Sequence, residues 1–208
     1  MSRRSKSSGR WLAEHEQDAY VRRARAEGWR SRAVFKLMEI QRREHLLRHG
    51  MTCIDLGASP GGWSQLAARA IGPRGRVIAL DMLPMQPLAG VQFVLGDFNE
   101  PAVLETLLGR LAGGQADLVM SDMAPNLSGM AALDQPRVMQ LAELAHDLAQ
   151  KALRPGGDFL VKAFHGEGFE AFRGRLRDTF GSVKACKPPA SRARSSELYL
   201  LARNYRMV

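Results

Sequence analysis

Cysteine and long apolar runs are scarce in this chain of 208 residues. Cys53 and Cys186 are its two cysteines, too few and too far apart for a metal cluster or a disulfide-rich secreted domain. No apolar run approaches the length of a membrane span, and the basic start is not followed by the apolar segment of a secretory signal. We therefore expect a protein of the cytoplasm, a reducing compartment, with no membrane partner and no metal.

Acidic residues are also in deficit. The chain has 30 Lys and Arg against 21 Asp and Glu, a formal net charge of +9. Such an excess favours a polyanion partner, with nucleic acid first, although a basic protein without one is the alternative. Few acids follow Glu27 to neutralise the basic residues at the start of the chain, which favours an RNA-facing surface. The arginines that form this cluster are Arg22, Arg23, Arg25, Arg30 and Arg32.

The order of predicted elements indicates the fold. We predict a single domain spanning residues 1–208. Within it, residues 1–10 are expected to form a disordered basic tail and residues 11–46 a basic helical extension. The rest alternates strands and helices and closes with two nearby strands, which predicts an α/β fold with a mostly parallel seven-stranded sheet, one antiparallel strand and helices on both faces. The predicted strands are one before Gly57 and those at 75–81, 91–96, 116–122, 158–164, 182–187 and 197–202. The predicted helices include 11–27, 63–70 and 135–153.

A glycine-rich turn, 57–62, separates the first strand from its helix. Strand, glycine turn and helix place a nucleotide at the carboxyl end of a strand, and glycine lets a ligand approach the backbone. The turn lacks the dinucleotide fingerprint, and Trp63 stands where a P-loop has its phosphate-binding lysine. The pattern therefore suits an uncharged nucleoside with a polar tail, with Asp55 and Gly57 among its binding residues.

Acids close the neighbouring predicted strands as well. Asp81, after the second strand, can accept both hydroxyl groups of a ribose. Asp97, after the third, could accept from an adenine amino group. The alternative is that these acids only cap loops. Because three acids including Asp55 each border a strand end, we favour a cofactor site.

Lys162 is unusual because it lies inside an apolar strand, near the end where such folds place active sites. An edge-strand lysine exposed to water is the alternative, but its apolar neighbours favour a covered, central strand. Burial disfavours the charged form of an amine, and a second cation would disfavour it further, which is how a lysine becomes a base. Asp122, after the neighbouring strand, would hold the ammonium in place and so oppose a lower pKa. The net pKa of Lys162 therefore stays open at this point.

The chain resembles the bacterial FtsJ-like family of heat-shock ribosomal RNA large-subunit methyltransferases over nearly its whole length. The stretches that carry the resemblance are GWRSRAVFKL at 28–37, DLGASPGGWS at 55–64, SDMAPN at 121–126, VK at 161–162 and SRARSSE at 191–197. The catalytic tetrad of the family falls on Lys36, Asp122, Lys162 and Glu197. Its S-adenosylmethionine contacts fall on Gly61, Trp63, Asp81, Asp97 and Asp122.

The resemblance implies a Rossmann-like S-adenosylmethionine-dependent methyltransferase fold. It also implies methyl transfer to the 2′-hydroxyl of a uridine ribose in 23S rRNA, within the large ribosomal subunit and in support of its assembly. Lys162 would accept the hydroxyl proton, Lys36 would supply the second cation, and Asp122 and Glu197 would orient the lysines. The alternatives are a 2′-O-methyltransferase of another RNA such as tRNA, a small-molecule or protein methyltransferase, and an RNA-binding assembly factor with a vestigial cofactor pocket. We expect a monomer.

Overall fold

The computed structural model describes residues 18–125, 128, 130–192 and 195–207. The predicted tail and the part of the predicted 11–27 helix before residue 18 lie outside these residues. The helices are α1 (Ala19–Ala26), α2 (Val34–Glu44), α3 (Gly62–Ile71), α4 (Pro101–Gly109), α5 (Ala131–Ala152) and α6 (Phe169–Thr179). The strands are β1 (Thr52–Leu56), β2 (Arg76–Asp81), β3 (Val91–Leu95), β4 (Ala116–Ser121), β5 (Leu153–Phe164), β6 (Phe180–Cys186) and β7 (Glu197–Tyr205).

The described strands form one seven-stranded sheet in the order β3-β2-β1-β4-β5-β7-β6. The pairs from β3 to β5 are parallel, whereas β7 is antiparallel to both of its neighbours. The predicted α/β fold, with one antiparallel strand, is confirmed. The antiparallel strand is the last along the chain, but in the sheet it lies between β5 and β6.

The core lies on both faces of the sheet, which is why the central strands are apolar throughout. Successive residues of a strand point to opposite faces. Cys53 and Leu160 belong to the cluster that packs on α2 and α3, whereas Ile54 and Phe159 belong to the cluster that packs on α4, α5 and α6. Helices therefore cover both faces, as predicted.

The strand order reverses between β1 and β4. The chain moves from β1 outward to β2 and β3, and then returns to place β4 on the other side of β1. In open α/β sheets, ligands bind in the crevice at the carboxyl ends of the strands beside such a point. The glycine turn after β1 and Asp122 after β4 therefore lie at the position where this fold forms a binding site.

Several element boundaries differ from the prediction, among them the starts of β5 and α5. β5 begins at Leu153 rather than at 158, because Leu153 pairs with Ala116 before the register shifts and Asp158 pairs with Leu118. The intervening Pro-Gly-Gly sequence, typical of a break, forms an irregularity within the strand instead. α5 begins at Ala131 rather than at 135. In its first turn, Asp134 accepts hydrogen bonds from the amide and the hydroxyl of Ser128, at 2.8 and 2.9 Å.

Asp55 is a buried acid in the centre of the sheet. It has no exposed surface, and Ser64 of α3 donates its hydroxyl to Asp55 Oδ2 at 2.6 Å. Within the described part of the chain, Asp55 Oδ1 has no hydrogen-bond partner. Burial raises the pKa of Asp55 to about 7, with further increases from the charges of Asp122 and Asp81, although the bonds from Ser64 oppose this shift. Asp55 therefore takes up a proton on folding over a range of pH.

We expect Asp55→Asn to remove a pH dependence of stability. Between about pH 4 and pH 7 the folded carboxyl retains a proton that the unfolded chain releases, so the parent loses stability as pH rises through this window and levels off above it. A carboxyl whose pKa is raised by burial to about 7 makes this change in the free energy of unfolding roughly 4 kcal/mol. Urea unfolding of both proteins across a pH series measures the difference. Asp178→Asn, at an exposed position, is the control, and parallel curves for the parent and Asp55→Asn would contradict the expectation.

Candidate active site

Four charged side chains from distant parts of the chain meet at the carboxyl ends of β4 and β5. Lys162 Nζ lies 2.7 Å from Asp122 Oδ1 and donates to the Asp122 carbonyl at 2.8 Å. Lys36 Nζ, from α2, lies 2.7 Å from Glu197 Oε1. Glu197 Oε2 lies 3.8 Å from Lys162 Nζ, so the carboxylate of Glu197 stands between the two lysines. The structure thus brings together the four residues onto which the tetrad of the family falls.

Lys162 occupies a central strand, as its apolar neighbours predicted. β5 lies between β4 and β7, and the side chain of Lys162 is 7% exposed. The side chains of Lys36 and Glu197 are each 12% exposed. With so little water around them, these charges are stabilised by one another rather than by solvent.

Asp122 is held as a carboxylate. Burial by itself would raise the pKa of Asp122, but the charges of Lys162 and Lys36 and the hydrogen bonds from Lys162 and Tyr199 outweigh it, and the pKa lies below its ordinary value. The Tyr199 hydroxyl donates to Asp122 Oδ1 at 2.6 Å. A carboxylate with a lowered pKa is a weak base, so Asp122 is suited to orienting an ammonium rather than to accepting a proton.

Sequence reasoning missed two residues of this cluster. The Ser191 hydroxyl donates to Glu197 Oε1 at 2.9 Å, and Tyr199 holds Asp122 as described above. Burial, together with the charges of Asp122 and Glu197, raises the pKa of Tyr199 well above its ordinary value, so its hydroxyl remains a donor. The signal for Tyr199 is its spacing of two from Glu197 in a strand, which places both side chains on one face.

Two positions of the glycine turn have no room for a side chain. Gly57 and Gly61 have φ values of +75° and +109°, which L side chains rarely adopt. A Cβ at Gly57 would lie 2.8 Å from Met123 Cγ, and one at Gly61 would lie 2.8 Å from Met85 Sδ. These two positions require glycine both for backbone conformation and for space. A cradle of this kind fits the nucleoside cofactor that the sequence indicated.

Asp81, the last residue of β2, and Asp97, which follows β3, have different surroundings. Asp81 Oδ2 accepts from Ser59 N, and Asp81 Oδ1 accepts from Leu83 N, both at 2.8 Å. These bonds fix the carboxylate beside the turn and leave lone pairs for ribose hydroxyls. Asp97 Oδ1 accepts from the backbone and side-chain nitrogens of Asn99, both at 2.9 Å. Asp97 therefore also caps its own loop, and its contact with an adenine stays a prediction.

Asp55 and Trp63 lie beneath the turn rather than on its surface. Asp55 is fully buried, and Trp63 is 3% exposed. The Trp63 indole donates to the Ala33 carbonyl at 2.9 Å, and its ring centroid lies 5.5 Å from that of Tyr199. Both residues support the turn from below, and their direct contact with a cofactor stays a prediction.

Two further properties concern the described residues as a whole. Among them, no three His, Cys, Asp or Glu side chains are grouped so that they could hold a metal ion. None of the helices in the described part of the chain is long and apolar enough to cross a membrane.

Known proteins share this sequence closely. Residues 29–205 match the family described as FtsJ-like methyltransferase. The chain is 58% identical over 204 residues to the ribosomal RNA large subunit methyltransferase E of Chromohalobacter salexigens, an alignment covering 98% of this chain and 97% of that protein. It is 55% identical over 203 residues to the protein of the same name from Pseudomonas aeruginosa, covering 98% of each.

Solved structures share the fold. A Plasmodium falciparum protein assigned as a ribosomal RNA methyltransferase superimposes with a TM-score of 0.77 and 25% identity, over 85% of this chain and 98% of that one. Fibrillarin from Aeropyrum pernix, solved with natively bound S-adenosyl-L-methionine, gives a TM-score of 0.57 at 18% identity, over 81% of this chain and 72% of that one, which shows a shared fold alone. Because the family match spans most of the sequence and both relatives exceed half identity, the resemblance is confirmed, and the chain belongs to the family of FtsJ-like methyltransferases.

Proposed function

We propose that this protein is a single-domain, monomeric enzyme of the cytoplasm that methylates the 2′-hydroxyl of a uridine ribose in 23S rRNA, within the large ribosomal subunit. S-Adenosylmethionine is the proposed methyl donor. Membership of a methyltransferase family and the names of the close relatives support this proposal. The observation that carries it is the chain of charges Lys36–Glu197–Lys162–Asp122 beside the glycine turn.

The cofactor would bind along the turn and the ends of β1 to β3. When bound, S-adenosylmethionine supplies a methyl group activated by a positively charged sulfur. Gly57 and Gly61 would let it approach the backbone, Asp81 would accept its ribose hydroxyls, and Asp97 would face its adenine. Asp122 lies at the boundary between this pocket and the lysines, because it follows β4 directly.

Lys162 is the residue that would accept the proton from the ribose hydroxyl. A hydroxyl oxygen is a poor nucleophile until it loses its proton, so the reaction benefits from a general base. Asp122 is excluded from that role because its pKa is lowered. Glu197 already accepts from Lys36 and Ser191, and it lies 3.8 Å from Lys162 Nζ. In its neutral form, Lys162 would be a stronger base than the carboxylates of Asp122 and Glu197. Lys36 would remain as the fixed cation that favours loss of the proton from the Lys162 ammonium.

The RNA would approach over the basic amino-terminal helices. Arg22 and Arg25 of α1 are exposed, and in the described part of the chain their side chains have no partner. Arg23 is engaged with Glu27 at 2.6 Å and lies over the ring of Phe35 at 4.3 Å. Of the three arginines of α1, Arg22 and Arg25 are therefore the ones whose described side chains are free to contact phosphate.

The function is tested by mapping where the label goes from tritiated S-adenosylmethionine. We expect incorporation into large ribosomal subunits, and digestion should recover the label as a 2′-O-methylated uridine of 23S rRNA. Label in tRNA, protein or small molecules would support a different substrate. Binding to ribosomal RNA without any transfer would support an assembly factor with a vestigial pocket.

The role of Lys162 can be separated from its charge. Lys162→Ala should slow methyl transfer by roughly two to four orders of magnitude, the range for loss of a general base. Lys162→Arg should be nearly as slow, because a guanidinium stays protonated at any working pH. Single-turnover rates across a pH series measure both, with the exposed Lys151→Arg as the control. Near-parent activity of Lys162→Arg would mean that Lys162 acts only as a fixed cation.

The RNA-facing role of α1 predicts a change in salt dependence. Arg22→Ala combined with Arg25→Ala should weaken RNA binding and reduce the slope of log affinity against log salt by roughly 0.7–0.9 per lost phosphate contact. Binding of S-adenosylhomocysteine should not change. The matched control is Arg177→Ala, an exposed residue of α6, which packs on the face of the sheet opposite to α2. If the double variant keeps the parent slope, these arginines only solvate the helix.

A further inference from the structure

The segment 28–33, between α1 and α2, lies against the start of α3. The Gln65 side chain donates to the Gly28 carbonyl at 2.9 Å and accepts from Arg30 N at 3.0 Å. The Trp63 indole donates to the Ala33 carbonyl at 2.9 Å. These bonds join the basic amino-terminal region to the helix that follows the glycine turn.

The Arg30 side chain reaches further, across the turn itself. Its Nη1 donates to the carbonyl of Gln86 at 2.6 Å and its Nη2 to the carbonyl of Pro87 at 2.7 Å. Nη1 also donates to the carbonyl of Pro60, within the glycine turn, at 3.4 Å. A Cβ on Gly61 would lie 3.0 Å from Arg30 Cδ, so the arginine stem packs directly on that glycine. Arg30 therefore binds the turn after β1 and the loop after β2 together.

The loop after β2 is held by donors from other segments. Residues 84–88 have no regular secondary structure, and side chains outside the loop bond three of their carbonyls. Ser59 Oγ donates to the Pro84 carbonyl at 3.2 Å. Arg30 donates to the carbonyls of Gln86 and Pro87 further along the loop. The loop begins directly after Asp81, whose carboxylate is already bonded to Ser59 and Leu83. The position of Asp81 and the shape of the turn are thus linked through this loop.

We propose that Arg30 is a positioning residue of the cofactor pocket, and not a phosphate contact like Arg22 and Arg25. Its planar fork fixes the loop after β2 against the glycine turn, and so fixes the distance between Gly61 and Asp81. A point charge on a flexible stem cannot reproduce this, because the acceptors lie on two separate segments. The inference rests on the proposed function in one respect, namely that this pocket takes S-adenosylmethionine or its product.

Calorimetric titration with S-adenosylhomocysteine tests the role of Arg30. We expect Arg30→Ala to raise the dissociation constant about tenfold, comparable to the loss of one hydrogen bond. Arg30→Lys should bind equally weakly although it keeps the charge. The loss of single-turnover methyl transfer should be larger at limiting than at saturating cofactor, because Arg30 acts on the cofactor pocket. The salt dependence of RNA binding should keep the parent slope. The control is the Arg22→Ala and Arg25→Ala double variant. It should bind S-adenosylhomocysteine as the parent does and show a shallower salt slope of RNA binding.

A second variant releases the backbone of Arg30 from α3 and leaves the guanidinium itself unchanged. Gln65→Met keeps the side-chain length and removes both bonds from Gln65 to the segment 28–33, so it should also weaken S-adenosylhomocysteine binding. If Arg30→Ala does not fold, Arg30→Lys and Gln65→Met together decide the matter. Unchanged cofactor affinity in the folded Arg30 variants, with a shallower salt slope, would overturn the proposal and make Arg30 a phosphate contact. Failure of the parent to bind S-adenosylhomocysteine would instead refute the proposed function.

Discussion

The architecture of the site depends on the position of the Glu197 carboxylate between Lys36 and Lys162. Two largely buried ammonium groups repel one another, and leaving either without a counter-charge costs several kcal/mol. Glu197 accepts from Lys36 and faces Lys162, while Asp122 satisfies Lys162 from the other side. This arrangement draws α2, β5 and β7 to one point. It also explains why an amino-terminal helix, which precedes the whole sheet in sequence, forms part of the site.

The parts of the site that could be predicted are those with a local signal. Lys162 could be placed in a covered strand because apolar residues flank it, and the glycines of the turn could be recognised because no other residue fits there. Asp55, Asp81 and Asp97 could be found because each lies at or near the end of an apolar strand. The resemblance to a family then supplied Lys36 and Glu197, which neither spacing nor composition had singled out.

What could not be predicted depends on long-range pairing. Tyr199 meets Asp122 because the antiparallel register places Tyr199 opposite Lys162. Arg30 had the same local setting as Arg22, a basic residue among basic neighbours, yet it binds backbone carbonyls from a distant loop. A local charge pattern does not distinguish an arginine that binds carbonyls from one that binds phosphate. The early start of β5 also depends on long-range pairing. Pairing with β4 incorporates Pro155, Gly156 and Gly157 into the strand, although these residues locally favour a break.

The antiparallel direction of β7 is what makes this site possible in a parallel sheet. The carboxyl ends of β4 and β5 bring Asp122 and Lys162 to one edge. A strand running the opposite way presents its first residue there, and Phe164 accordingly pairs with Glu197 at the very start of β7. If β7 ran parallel to its neighbours, Tyr205 would lie at this edge and Glu197 at the far one, about 26 Å away at 3.3 Å per residue. One reversed strand therefore adds a carboxylate to the edge where parallel strands already place the lysine and the cofactor turn.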